Sequence, residues 1–172
     1  MRRAIITGGA GGLGADMAAA LIDQNYLVGI MDIDLQQTEA CAARLGANCV
    51  PLVANVSDSQ AVAGAFKHFG EAPELLINNA GIVRFGPLHE QPIDAYRQVI
   101  DTNLLGATIC SKMAAEGMIA RGSGHIINIS SVNGIHPAPG VGLYAATKAA
   151  LSSLTQLMLS LIHISEPTRL GF

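Results

Sequence analysis

A glycine-rich turn between a predicted strand and a predicted helix is the feature that most constrains the fold of this chain. Residues 3–7 form a short apolar run, helical periodicity begins at Gly12, and the chain reads TGGAGGLG over residues 7–14. Glycines let the backbone turn tightly and approach a pyrophosphate, and the helix that follows offers free N–H groups at its N-terminus. The position between strand and helix therefore indicates a nucleotide-binding turn, which the glycines alone would not.

The rest of the chain continues this alternation of strands and helices. The pattern predicts further strands over residues 27–32, 48–53, 74–77 and 125–130. Helices are predicted over residues 12–25, 35–45, 59–69 and 92–121, with a last helix beginning near residue 142. Apolar strands that alternate with helices favour a parallel sheet covered on both faces. We therefore expect an α/β fold, a Rossmann-like doubly wound parallel sheet of about five strands.

Length and composition fit one such domain and argue against several other classes of protein. The chain has 172 residues, half of them hydrophobic, and its net charge of −3 offers no basic surface to a nucleic acid. It contains no run of about 18 apolar residues, so we expect no membrane span and a cytoplasmic protein. The cysteines and histidines lack metal-ligand spacing, so no metal site is predicted.

Asp32 ends the second predicted strand, about 20 residues after the glycine-rich turn, where an acid can bind the adenosine ribose of a dinucleotide. A carboxylate at this point would repel the 2′-phosphate of NADP. No Arg or Lys occupies the turn itself or the positions just after Asp32. The sequence therefore favours NAD over NADP. The alternative is that Asp32 only caps a helix, although Asp34 could fill that role instead.

Three polar motifs follow at the ends of later elements. Strand four ends in NNAG at residues 78–81, strand five ends in a serine pair at 130–131, and YAATK at 144–148 opens the last helix. Tyr144 and Lys148 are four residues apart and share one helix face. A lysine ammonium stabilises a nearby phenolate, which makes a tyrosine usable as a base. Each motif alone is weak, but together they lie where ligands bind in such sheets.

These motifs resemble the classical short-chain dehydrogenase/reductase family over residues 1–158. The resemblance rests on the glycine-rich turn, Asp32, NNAG, Asn103 within DTNLLG, NISS at 128–131 and YAATK. The spacing of the glycines leaves three registers open, and the resemblance implies Gly8, Gly12 and Gly14. It places the contacts to a dinucleotide at Gly8, Gly12, Leu13, Gly14, Asp32, Asn55, Val56, Asn79, Ala80, Gly81, Tyr144 and Lys148.

The resemblance also implies an oxidoreductase that moves a hydride between NAD and a secondary alcohol or carbonyl compound. Tyr144 would be the acid and base, and Lys148 would stabilise its phenolate and bind the nicotinamide ribose. Ser131 would hold the substrate oxygen, and it is preferred to Ser130 because it stands thirteen residues before Tyr144. Asn103 would support a proton-relay water, unless it is an interior polar group with a purely structural bond.

One position departs from the family pattern. The family usually carries Asp before the valine that ends strand three, where it contacts the adenine amino group. Here Asn55 precedes Val56. Its amide oxygen can still accept that bond, so we expect weaker anchoring of the base. The substrate is not predicted, but its expected walls are Ile82, Val83, Arg84, Phe85, Val132, Asn133 and His136.

Two other functions fit part of the pattern. One is an inactive nucleotide-binding relative, against which the presence of both Tyr144 and Lys148 argues. The other is an epimerase or dehydratase of the extended branch of the family, against which NNAG argues. The resemblance further implies that the parent protein is a homo-oligomer, a dimer or tetramer, acting on a small-molecule alcohol or carbonyl substrate without nucleic-acid or membrane partners.

Residues 159–172 do not match the family pattern. The string LSLIHISEPTR at 159–169 resembles the in-frame translation of a sequencing adaptor, whereas family members continue with further strands, a helix and a substrate loop. We therefore expect a partial domain over residues 1–158, a non-native tail over 159–172, no strand pairing after about residue 160, and no activity in the 172-residue chain by itself.

Overall fold

The computed structural model describes residues 1–162, which form a parallel sheet with helices packed on both faces. The strands are β1 (Arg2–Thr7), β2 (Tyr26–Asp32), β3 (Cys49–Val53), β4 (Leu75–Asn78) and β5 (His125–Asn128). The α-helices are α1 (Gly12–Asp23), α2 (Leu35–Leu45), α3 (Ser59–Phe69), α4 (Ile93–Ile100), α5 (Ala107–Arg121) and α6 (Gly142–Ile162). Short 3-10 turns lie at Leu88–Glu90 and Val132–Gly134.

All five strands run parallel in the order β3-β2-β1-β4-β5, which confirms the predicted α/β fold. β1 lies at the centre and pairs with β2 along its whole length. The chain moves outward from β1 to β3 on one side and then returns to place β4 on the other side. The carboxyl ends of β1 and β4 therefore flank the point where the strand order reverses, which is where such sheets bind ligands.

Apolar side chains cover both faces of the sheet. Ile5 and Leu76 belong to the core that α3 and α5 complete, and both are fully buried. Ile6 and Ile77 belong to the opposite core, which α1 and α2 complete. Adjacent residues of a strand point to opposite faces, so a strand with a helix layer on each side is apolar at successive positions.

Side-chain caps fix the starts of two helices that follow strands. Asp34 caps α2 by accepting a hydrogen bond from the backbone N of Gln37 at 2.9 Å. Asp58 caps α3 in the same way, accepting from the backbone of Gln60 and Ala61. The cap of α2 is therefore Asp34, and Asp32 remains outside the helix.

The helix predicted over residues 92–121 is interrupted by a π-helical segment, Asp101–Gly106, between α4 and α5. A π turn holds one more residue than an α turn, and such insertions are frequent at functional sites. Asn103 lies in this π segment and is 1% exposed. α6 packs against α4, β5 and the π segment, so the insertion lies beside the helix that carries Tyr144.

The segment 159–172 is only partly covered by the structure. α6 continues through its first four residues, and the remainder, with the prediction made for it, lies outside the described residues. Among residues 1–162, no helix combines the length and apolar character needed to cross a bilayer. Nor does this part of the chain hold a group of three or more His, Cys, Asp or Glu side chains placed to bind a metal ion.

We predict that Leu76→Ala lowers the free energy of unfolding by about 2–5 kcal/mol, because it opens a cavity in a close-packed core. Leu88→Ala makes the same truncation at a side chain that is 62% exposed, and it should cost less than about 0.5 kcal/mol. Urea denaturation of both variants measures the difference. Equal costs would contradict the placement of Leu76 in the core.

Candidate active site

An open cleft of about 840 Å³ lies at the carboxyl ends of the central strands. This volume falls in the range of small-molecule sites. Several residues expected to contact a dinucleotide line it, namely Gly8, Asp32, Asn55, Val56, Asn79, Ala80 and Gly81. Gln37, Gln98, Asp101 and Thr102 also line it, although their sequence context carried no signal for this position.

Gly8, Gly12 and Gly14 each lie at a position that favours or requires glycine. Gly8 and Gly12 have φ values of +63° and +51°, in the left-handed region that favours glycine. A Cβ on Gly14 would overlap the carbonyl oxygen of Gly8, so this close approach of α1 to the turn needs glycine. Gly12, Leu13 and Gly14 form the first turn of α1 beside the cleft, and Leu13 is 57% exposed.

Four hydrogen bonds join the glycine-rich turn to the NNAG motif. The Thr7 hydroxyl oxygen accepts from the backbone N of Asn79 and of Ala80, each at 3.0 Å. The Asn79 Nδ2 donates to the carbonyl oxygens of Thr7 and Gly8, also at 3.0 Å. These bonds hold the ends of β1 and β4 together as one wall of the cleft.

Asp32 organises the same turn from the side of β2. Its Oδ2 accepts from the backbone N of Ala10 at 3.1 Å, and its Oδ1 accepts from the backbone N of Ile33 at 2.8 Å. A carboxylate has about four acceptor sites, so lone pairs remain for ligand hydroxyls. No lysine or arginine is among the described residues that line the cleft, so Asp32 is not neutralised by a cation there.

Asn55 lines the cleft beyond the end of β3, where the sequence departs from the family pattern. Its Oδ1 accepts from the backbone N of Ser57 at 3.1 Å and from the Ser57 hydroxyl at 2.9 Å. The amide oxygen that was expected to accept a bond from the base therefore already has two donors.

Lys148, on α6, lies next to Gly81, which lines the cleft. The Lys148 side chain is 3% exposed, and its Nζ donates to the carbonyl oxygen of Ile129 at 2.7 Å. The Nζ lies 5.7 Å from the centroid of the Tyr144 ring, and a Cβ on Gly81 would lie 3.4 Å from it. Burial disfavours the ammonium form and lowers the pKa of Lys148 below its usual value.

Asn103 ties the loop after β4 to the start of α6. Its Nδ2 donates to the Ile82 carbonyl oxygen at 2.9 Å and to the Thr147 hydroxyl at 3.1 Å, while its Oδ1 accepts from the Ile82 backbone N at 2.8 Å. The Thr147 hydroxyl in turn donates to the Tyr144 carbonyl oxygen. These bonds hold the Asn103 amide in place and leave one lone pair of its Oδ1 without a donor among the described residues.

The two serines after β5 have different surroundings. The Ser130 hydroxyl donates to the Lys148 carbonyl oxygen at 3.0 Å and lies 3.0 Å from the Ser152 hydroxyl, so it joins β5 to α6. The Ser131 hydroxyl oxygen accepts from the backbone N of Asn133 at the start of the turn Val132–Gly134. The Ser131 hydroxyl proton therefore has no acceptor among the described residues.

The expected substrate walls lie on two loops that meet. The backbone N of Gly86 donates to the carbonyl oxygen of Gly140 at 2.9 Å, which joins the loop after β4 to the loop before α6. Phe85 and Val132 are 73% and 68% exposed, so this end of the site is apolar and open to solvent in the described residues. Of the expected walls, Ile82 is the one that also lines the cleft.

A family model described as short chain dehydrogenase matches residues 2–163 of this chain. Two curated relatives are similar over most of it. The "2-dehydro-3-deoxy-L-rhamnonate dehydrogenase (NAD(+))" of Sphingomonas sp. (strain SKA58) is 36% identical over 90% of the chain and 64% of its own length. The "Probable NADP-dependent dehydrogenase" of Haemophilus influenzae is 33% identical over 88% of the chain and 62% of its own length.

The fold is also found in a solved structure. The 3-oxoacyl-[acyl-carrier protein] reductase of Brucella melitensis with bound NAD superimposes with a TM-score of 0.89 at 32% identity. That match covers 94% of this chain and 65% of the solved one. The chain thus spans less than two thirds of the length of these proteins.

We predict that Asn103→Asp destabilises the protein by on the order of 3 kcal/mol, because a buried carboxylate would face the Ile82 carbonyl oxygen without a donor between them. Asn48→Asp makes the same change in the turn before β3, at the opposite end of the sheet. Denaturant unfolding of both variants tests this. If Asn103→Asp proves no more destabilising than Asn48→Asp, the bonds of Asn103 are not structural.

Proposed function

Because the chain belongs to the short-chain dehydrogenase family, we propose that the whole protein is an NAD-dependent oxidoreductase that interconverts a secondary alcohol and a ketone. The observation that carries the proposal is the buried Lys148 ammonium, which lies beside the Tyr144 ring and against the Gly81 wall of the cleft. The chain spans less than two thirds of the relatives described above, so the activity is proposed for the whole protein.

The residues of the cleft fit a nicotinamide dinucleotide. The turn at Gly8 and Gly12 offers left-handed backbone and the N-terminus of α1 to a pyrophosphate. Asp32 retains lone pairs for ribose hydroxyls, and Lys148, next to Gly81, would bind the nicotinamide ribose. When bound, such a cofactor supplies the hydride acceptor or donor.

The preference for NAD over NADP rests on Asp32. Its carboxylate would face the 2′-phosphate of NADP with no cation among the described cleft residues to offset the repulsion. One relative is named for NAD and another for NADP, so sequence similarity alone does not indicate which cofactor this protein binds.

Three side chains would then handle the substrate oxygen. In the oxidation direction, the alcohol O–H bond breaks and its proton passes to the Tyr144 oxygen. The Lys148 ammonium stabilises the phenolate that accepts this proton, and the Ser131 hydroxyl donates to the substrate oxygen. Because burial lowers the pKa of Lys148, its ammonium is lost at a lower pH than that of an exposed lysine. Activity that depends on it should therefore decline on the alkaline side.

We predict that Asp32→Ala reduces the preference for NADH over NADPH at least about tenfold, because it removes both the ribose acceptor and the repulsion of a 2′-phosphate. The dissociation constants of both cofactors, measured by fluorescence, give this ratio. Asp23→Ala removes the same charge from the exposed end of α1 and should leave the ratio unchanged. Equal or tighter binding of NADPH by the unmodified protein would contradict the assignment to NAD.

We predict that Tyr144→Phe lowers kcat at least about 1000-fold and leaves NADH binding within about threefold, because the ring stays while the proton-accepting oxygen is lost. The substrate is first selected from secondary alcohols, beginning with hydroxylated sugar acids like that in the name of the Sphingomonas relative. Tyr26→Phe, at the opposite end of the sheet, is the matched control. Substantial turnover in Tyr144→Phe would place the proton transfer on another group.

A further inference from the structure

Only the oxygen of the Asn55 side-chain amide forms hydrogen bonds within the described residues. Its oxygen accepts two hydrogen bonds from Ser57, whereas its Nδ2 donates to none of these residues. Asn55 is exposed and lines the cleft. An amide with a saturated oxygen and a free N–H₂ group therefore faces the space where a ligand would lie.

The orientation of this amide follows from the chemistry of Ser57. A backbone N–H can only donate, so the atom that faces it at 3.1 Å must be the amide oxygen. Rotating the amide by half a turn would place Nδ2, which is a donor, against the Ser57 N–H, which is also a donor. The Ser57 N–H would then lose its acceptor. The bonds from Ser57 thus fix the orientation of the amide and leave Nδ2 as its free end.

Asn55 lies next to the strand end that carries Asp32. Val53 pairs with Asp32 across β2 and β3, and the backbone N of Ala54 donates to the Asp32 carbonyl oxygen at 2.9 Å. β3 is the outermost strand on this side, while Lys148 and Gly81 lie on the side of β4. A dinucleotide whose ribose binds Asp32 therefore places its base against residues 54–57.

The backbone beside Asn55 offers a second donor. The N–H of Val56 makes no hydrogen bond within residues 1–162, and Val56 lines the cleft. The edge of the base thus meets two N–H donors, one from Asn55 and one from Val56. The Asn55 oxygen is saturated, so this pair presents no free acceptor.

The polar edge of a purine alternates between donor and acceptor at positions 6 and 1. A 6-amino purine offers a donor at position 6 and an acceptor at position 1, and a 6-oxo purine offers the reverse. When it faces two donors, each base forms one hydrogen bond through its acceptor. Its own donor then lies against the other N–H group. A carboxylate in place of the Asn55 amide would instead pair with the 6-amino group.

We propose that Asn55 removes the discrimination between 6-amino and 6-oxo purines at the base end of the cleft, so that the protein accepts a hypoxanthine dinucleotide about as well as NAD. This inference rests on the proposed function, because it assumes that the cleft binds a dinucleotide. It makes Asn55 a specificity-determining residue whose effect is set by the hydrogen bonds from Ser57.

Isothermal titration calorimetry of the whole protein with NAD and with nicotinamide hypoxanthine dinucleotide tests the proposal. The two dissociation constants should agree within about threefold in the unmodified protein, and Asn55→Asp should shift the ratio at least about fivefold towards NAD. Asn48→Asp introduces the same charge at the opposite end of β3 and should leave the ratio unchanged.

Three results would overturn the proposal. One is a preference for NAD above about threefold in the unmodified protein. The second is the same ratio in Asn55→Asp as in the unmodified protein. The third is failure of both dinucleotides to bind, which would contradict the proposed function as well as this inference. The first two results contradict this inference alone.

Discussion

The four hydrogen bonds between residues 7–8 and residues 79–80 are the contact on which the rest of the site depends. The Thr7 hydroxyl and the Asn79 amide each bond twice, so the ends of β1 and β4 cannot move apart without breaking several bonds at once. The glycine-rich turn, the NNAG loop and, through Gly81, the surroundings of Lys148 are all positioned from this junction. A side chain on Gly8 or Gly14 would prevent it from closing.

Most of the fold could be predicted from the sequence, because apolar strands and capped helices have local signals. The five strands and their flanking helices lie within a few residues of the predicted bounds. The π segment at Asp101–Gly106 could not be predicted, since its apolar spacing resembles that of an α-helix. The segment carries Asn103, whose bonds to Ile82 and Thr147 join residues that are distant in sequence and leave no local pattern.

The candidate site was predicted residue by residue only where a motif marks it. The motifs indicated Asp32, Tyr144 and Lys148 because acids, phenols and amines at strand and helix ends have recognisable chemistry. They gave no sign that the Asn55 oxygen would be taken by Ser57, or that Lys148 would bind the Ile129 carbonyl oxygen. Such bonds depend on where neighbouring backbone groups point, and the residue types alone do not encode that direction.

The π segment also determines what a change of length would do at this point of the chain. Because the segment holds one extra residue within a single turn, removing one residue from 101–106 would allow a regular α-helix in which α4 and α5 keep the faces that they present to the sheet. The loss would fall on Asn103, whose bonds to Ile82 and Thr147 start from this turn. Removing one residue from within α5 would instead rotate every later residue of that helix by about 100° and disturb its packing on the sheet.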